Sequence, residues 1–368
     1  MSNFDLTDLA VQMICPGNKV ILDEKGMPSV MVYIPKFKNN DVLAGGDSAI
    51  HPAFVVDGVG TIDGFYYSKY LNCIHDGCAY SLPGQDPANT INFDNSRARC
   101  EAKGNGWHLS TAAEWAAIAL WCKANGFMPY GNNNYGKDSR ESNYRAIPSC
   151  PLDSSNRVQR TATGTGPVSW NHDKSLAGIA DLNGNVNEWQ GGIRLVWGEL
   201  QILANNDAAD PDNPQNNTST AWKAIDAATG ALVTPECSVS DAGQTVSGNT
   251  VKLDWRSSAW VYSTAINNPQ SSYQGCLFGN ITADATIGTA AVLLLRCLAL
   301  LPDQGAVAAD YEGDYVYWNH NVSERCVFRG GGWNGGTSAG LFYLGGSSDR
   351  TIAGGSLGFR SAYIPEIS

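Results

Sequence analysis

Residues 106–126 read GWHLSTAAEWAAIALWCKANG, and this stretch carries the clearest secondary-structure signal in the chain. Thr111 stands where an N-cap belongs, with Glu114 three residues on, so that hydroxyl and carboxylate can each satisfy a free backbone N–H at the helix start. The interior is rich in Ala and Leu, and Gly126 follows as a stop, so the pattern predicts a helix from Thr111 to Asn125. Trp115, Ile118, Ala119 and Cys122 recur at steps of three and four and form a core-facing stripe rather than a cofactor box.

A shorter helix is expected over Ser96 to Lys103. On the N-terminal side, VMVYIPKF (30–37) has the β-branched and aromatic content of a strand ending at a proline. HPAFVVDGVGTIDGFYYSKYL (51–71) holds two β-prone runs parted by Gly and Asp turns, a hairpin or meander. Residues 1–30 are weakly patterned and are expected to form a short attachment segment ahead of one domain over 31–368. Within that domain, 131–165 and 205–248 are rich in Asn, Ser, Asp, Thr and Gly and read as insertions or long loops. VKLDW (251–255) restores strand character. ATIGTAAVLLLRCLAL (285–300) reads as a buried strand followed by another short element, although periodicity does not separate strand from helix in so apolar a run.

Of the 368 residues only 16% are charged, against about a quarter in ordinary globular chains, and the formal net charge is -11. Binding to nucleic acid needs clustered Lys and Arg, and no basic stripe is visible. The start, MSNFDLTDLAVQM, has acidic residues where a secretory leader carries basic ones, and the longest apolar run, Ala290 to Leu301, is broken by Arg296. The expectation is therefore a chain made in the cytoplasm without a signal peptide and without direct membrane insertion. Ten cysteines stand singly with no C-x-x-C pair. Cys73 and Cys78 are close enough in sequence to meet in a loop, but buried free thiols are the better reading for a chain folded in a reducing compartment.

Three segments in order, GWHLSTAAEW (106–115), GIADLNGNVNEW (178–189) and FRGGGW (328–333) with LGFRSA (357–362), together resemble the signature of the sulfatase-modifying-factor family, whose best known member is the formylglycine-generating enzyme. The resemblance spans most of residues 31–364. It implies an α+β, C-type-lectin-like fold of the formylglycine-generating-enzyme type: twisted antiparallel strands, two flanking helices and much irregular chain. The motifs also make sense physically. Trp189 can plug a core, Glu188 can cap or ligate, successive glycines before Trp333 let backbones approach, and Arg360 can pair with a buried carboxylate or with carbonyls.

In the enzymes of that family, two cysteines after the RGGSW-like motif bind copper and carry the oxidation. The matching stretch here, WNGGTSAGLFYLGG (333–346), has none, and neither Thr337 nor Ser338 can replace a thiolate. The expectation is no copper and no catalysis. His51, His75, His108, His172 and His320 are scattered, and neither a nucleophile elbow nor a phosphate or dinucleotide fingerprint is present. The resemblance also implies a structural calcium site, with side chains of Asp181 and Glu188 and backbone carbonyls of Gly184 and Val186 as ligands.

Residues 329–363 further resemble the variable region of diversity-generating-retroelement proteins of the phage major-tropism-determinant type, which use a lectin-like fold. Mutating the adenines of Asn codons yields Gly, Ser, Asp, Thr, Ala, Ile and others, but never Lys, Glu, Gln, Met or Trp. The stretch contains none of the first four, and its single Trp is Trp333. The expected frame is Arg329, Gly330, Gly331, Trp333, Leu344, Gly358, Phe359, Arg360 and Ala362. The expected contact set is Gly332, Asn334, Gly335, Ser338, Tyr343, Gly345, Ser347, Ser348, Asp349, Ile352, Gly354 and Ser356. Gly, Ser and Asn would supply adaptable polar contacts, and Tyr343 a rigid anchor. The functional expectation is a non-catalytic variable protein, plausible as a phage receptor-binding component on a virion, that recognises a protein or glycan receptor on a cell surface and is able to oligomerise. A divergent enzyme of the same fold and an inert virion subunit are the alternatives.

Overall fold

The computed structural model describes residues 3–367, and among these lie five α-helices: α1 (Asn3–Ile14), α2 (Asn39–Val42), α3 (Phe93–Glu101), α4 (Ala112–Ala124) and α5 (Thr289–Cys297). The capping box expected at the start of α4 is formed. Thr111 Oγ1 accepts the Glu114 amide at 3.1 Å, and Glu114 Oε2 accepts the Thr111 amide at 3.0 Å. The other Glu114 oxygen meets His108 Nε2 at 2.9 Å and takes Asn206 Nδ2 at 3.1 Å, so the cap also ties the helix to a neighbouring strand and to the second insertion. Trp115, Ile118, Ala119 and Cys122 are all buried.

The short helix expected over Ser96 to Lys103 is α3, which begins three residues earlier, at Phe93, and ends at Glu101. The apolar run expected to begin as a strand is instead α5, because Ala291 and Leu295, four residues apart, face the core together. Helix α1 lies in the segment expected to serve for attachment. Its Leu6, Leu9, Met13 and Ile14 are all more than half exposed, whereas Asp8 Oδ1 accepts the Val20 amide at 2.6 Å.

Two sheets make the body. The smaller one has five antiparallel strands in the order Asn18–Leu22, Pro28–Pro35, Gly64–Ser68, Ser361–Tyr363, Trp107–Leu109. Its first strand comes from residues 1–30, so within that segment only α1 stands apart from the sheet. The larger has twelve strands. At its centre Asn187–Val196 pairs antiparallel with Arg325–Arg329 on one side and Glu199–Ile202 on the other, and Leu344–Ser348 follows Arg325–Arg329. The segment 357–363 joins the two sheets: Leu357–Phe359 runs parallel to Asn187–Val196, and Ser361–Tyr363 enters the small sheet. Arg360 is the corner between them.

The main core gathers Ile34 and Phe65 from the small sheet, Ile193, Leu195, Trp260 and Trp318 from the large one, and Trp115 from α4. All ten cysteines are free. Cys73 and Cys78 do sit on one hairpin, but Cys73 faces Tyr80 and Cys78 faces His75, so they are not opposite one another. No helix among the described residues is long and apolar enough to cross a membrane.

Candidate binding face

Arg360 is fully buried, and all of its donors are used. Nε reaches Glu188 Oε2 at 2.8 Å, Nη1 reaches the carbonyls of Ser68 and Lys69 at 3.3 and 3.0 Å, and Nη2 those of Ala180 and Asp181 at 2.7 and 3.1 Å. One guanidinium thus fastens the last strand to three other segments, with the fork geometry that suits Arg and not Lys. This is the pairing with a carboxylate and with carbonyls that the GFR motif suggested. Burial still pushes the Glu188 carboxyl up to about 7, against the pull of Arg360.

The same geometry bears on calcium. Asp181 is buried with Oδ2 accepting the Gly164 amide at 2.8 Å, while Glu188 is engaged by Arg360, whose guanidinium also holds the carbonyls of residues 180 and 181. Gly184 and Val186 lie in the turn between, the Gly184 amide donating to Gly330 O at 3.0 Å. A cation placed between the two carboxylates would stand against a buried positive charge. As arranged, Asp181, Gly184, Val186 and Glu188 do not fit a calcium ion, although Glu188 Oε1 is buried without a hydrogen-bond partner.

Around this corner two irregular stretches, 332–338 and 349–356, reach the surface. Gly330 and Gly331 lead into the first with φ of +83° and +80°, a left-handed backbone that side chains rarely adopt. A Cβ at Gly331 would stand 2.4 Å from Ala339 Cβ. The turn then closes on itself, with the Gly335 amide on Gly332 O at 3.0 Å and the Ser338 amide on Gly335 O at 3.2 Å. The second stretch is clamped at Arg350, which makes two bonds to Glu324 at 2.7 and 2.9 Å and one to Asp94 at 2.8 Å. Asp349 Oδ1 accepts both the amide and the hydroxyl of Thr351, leaving Ile352 exposed. The stretches meet where a Cβ at Gly332 would lie 3.5 Å from Ser356 Cβ.

Of the expected contact set, Asn334 and Ile352 are exposed, and Gly335, Ser338, Tyr343, Ser347, Ser348, Asp349, Gly354 and Ser356 are half-buried. Gly332 is buried, and a Cβ there would stand 3.3 Å from Asn187 Nδ2, a tight contact to which that side chain would have to yield. Gly345 is different, and its reading as a contact is corrected. The Phe328 ring lies on it, and a Cβ there would stand 2.0 Å from Phe328 Cε2. Trp333, expected to be a buried frame residue, is only half-buried, with the Arg160 guanidinium 5.9 Å from its ring. The other frame residues, Arg329, Gly330, Gly331, Leu344, Gly358, Phe359, Arg360 and Ala362, are buried.

Several residues at this face were missed by the sequence reading. The 131–165 insertion borders it, with the Tyr135 amide on Trp333 O at 2.8 Å, the Gly336 amide on Asn133 O at 2.8 Å and Arg160 reaching Gly355 O at 3.5 Å. Tyr315 and Tyr317 flank it on the strand Tyr315–Trp318. The alternation in YVYW was the available signal, since it puts both tyrosines on one side and Val316 and Trp318 in the core.

Among solved structures the chain is similar to PvdO from Pseudomonas aeruginosa, at 13% identity over 95% of this chain and 98% of that one, with a TM-score of 0.37. It is also similar to Treponema denticola variable protein 1, at 12% identity over 95% and 100% of the two chains and a TM-score of 0.31. A third likeness is to the Major Tropism Determinant U1 variant, at 11% identity over 94% and 71% and a TM-score of 0.30. No family model matches the chain, and no curated protein does.

Proposed function

We propose that this chain is a non-catalytic binding protein of the lectin-like, formylglycine-generating-enzyme type, and that the stretches 332–338 and 349–356 form its ligand-binding face. The observation that supports the reading most directly is the contrast between face and frame. Most of the face is Gly, Ser, Asn and Asp on irregular chain, held from below by the buried pair Arg360–Glu188 and anchored at its own Arg350 by the pair with Glu324. Such an arrangement lets surface residues vary without loss of the scaffold, which is what recognition by an exchangeable surface requires.

In this reading the variation is written by a retroelement and the ligand is a receptor on a cell surface. The chain acts as a receptor-binding component of a phage particle, with α1 as the attachment element through its exposed apolar residues. Calcium has no part in it. The test is the DNA beside the gene. A reverse-transcriptase gene and a near-copy of the codons for residues 329–363 are expected, with differences at Asn334, Ile352 and Gly354 and none at Gly345 or Gly346. Absence of any such copy, with an invariant segment among independent isolates, overturns diversification.

A further inference from the structure

One face of the large sheet carries a row of rings that begins in the core and ends in solvent. The strand register aligns Trp189 with Phe328, Phe328 with Gly345, Gly345 with Tyr317, and Tyr317 with Gly275. Trp189 and Phe328 are buried, with ring centroids 5.2 Å apart and Phe93 packed 6.1 Å from Trp189. Beyond Gly345 the cover ends: Tyr317 and Tyr315 are half-buried, and Tyr273 is 60% exposed.

These rings lie on the sheet. A Cβ at Gly275 would stand 2.5 Å from Tyr315 Cε1 and 2.6 Å from Tyr317 Cδ1, and the Tyr315 hydroxyl donates to Gly275 O at 2.9 Å. Tyr317 is the hub, with centroids 4.8 Å from Tyr315 and 6.1 Å from both Tyr273 and Tyr343. Gly275 therefore creates a floor on which rings can turn their faces outward. The polar side chains beside them, Ser272, Gln274 and Ser338, are uncharged.

We propose that Tyr317, with Tyr273 and Tyr315, forms an invariant platform beside the variable face and stacks against the sugar rings of a neutral glycan. The proposal rests on the reading that the chain binds its ligand through the adjoining stretches. An aromatic face carries negative charge density, so it attracts the slightly positive C–H groups on the flat side of a pyranose. Uncharged hydroxyl and amide groups alongside suit sugar hydroxyls. Nucleobases also stack on such platforms, but their phosphates need clustered positive charge, and this chain carries -11.

The test is calorimetric titration of the full chain with cellohexaose, chitohexaose and maltohexaose. At least one should bind, and Tyr317→Ala and Tyr273→Ala should each weaken it by about tenfold, the scale of a lost aromatic stack. Tyr317→Phe, which keeps the ring, should retain binding. Because Tyr273 is mostly exposed, Tyr273→Ala should melt like the parent, so its loss of affinity would not be a loss of fold. Failure of all three sugars to bind overturns the proposal, as does binding that ignores both alanine variants. If binding falls with Asn334→Ala or Ile352→Ala but not with the tyrosine variants, the platform is overturned and the binding-face reading stands. If no sugar binds but a protein is held through Asn334 and Ile352, the glycan is overturned and the face is retained.

Discussion

Gly345→Ser and Gly354→Ser place the same small side chain at two glycines of one segment, and the structure demands opposite outcomes. At Gly345 the new Cβ would stand 2.0, 2.4 and 2.6 Å from Cε2, Cζ and Cδ2 of Phe328. That ring cannot swing aside cheaply, since it is buried with Trp189 edge-on at 5.2 Å and Tyr343 at 6.4 Å. Forcing atoms into so filled a space costs about 1 to 3 kcal/mol, and contacts this short favour the upper end. At Gly354 the nearest atoms are Leu357 Cδ1 and Cγ at 3.7 and 3.9 Å, ordinary contact distances, so the cost should stay within about 0.5 kcal/mol. Urea unfolding followed by tryptophan fluorescence measures both, and with an unchanged slope the shift in midpoint reads directly as a change in stability. Equal stability of the two variants would refute the separation of frame from face and return Gly345 to the contact set.

Arg360→Met should destabilise the fold by about 3 to 5 kcal/mol, since it strands a buried carboxylate and four carbonyls. Adding Glu188→Gln should recover part of that loss in a double-mutant cycle, and strict additivity would count against the pair. Calcium or a chelator should leave the melting temperature where it is, because Arg360 already supplies the positive charge beside Glu188; copurifying calcium, or a rise on its addition, would reinstate the metal. Burial pushes the Asp314 carboxyl up to about 8 from 3.8, even though it accepts the Phe342 amide. The folded value lies above the unfolded one, so its contribution is complete below about pH 4 and is lost as pH rises through about 8. Asp314→Asn should therefore gain on the parent in thermal melts as pH is raised from about 5 to about 9, and parallel curves would dismiss the shift.

Much of the frame was legible from local chemistry. The capping box at Thr111 and Glu114 acts between residues three apart, so the sequence alone determined α4 and its buried stripe. The strands at 30–37 and 251–255 were legible from β-branched and aromatic content in the same way. Arg360 was recognisable as a group needing a buried partner, because a guanidinium inside a protein must be paired. Which partner it takes is a matter of tertiary structure: Glu188 lies far away in sequence, and only the crossing of 357–363 between two sheets brings them together. That crossing also set the calcium expectation aside, by putting an arginine where the motif suggested an ion. The run 285–300 was ambiguous because so apolar a sequence suits strand and helix alike, and only the core available to Ala291 and Leu295 decided for α5. Glycines divided in the same manner. Composition cannot distinguish Gly354, where a Cβ would meet only ordinary contacts with Leu357, from Gly345, which lies under a ring from the neighbouring strand, because what forbids a side chain there is an atom of Phe328 and not anything in the glycine's own neighbourhood of sequence.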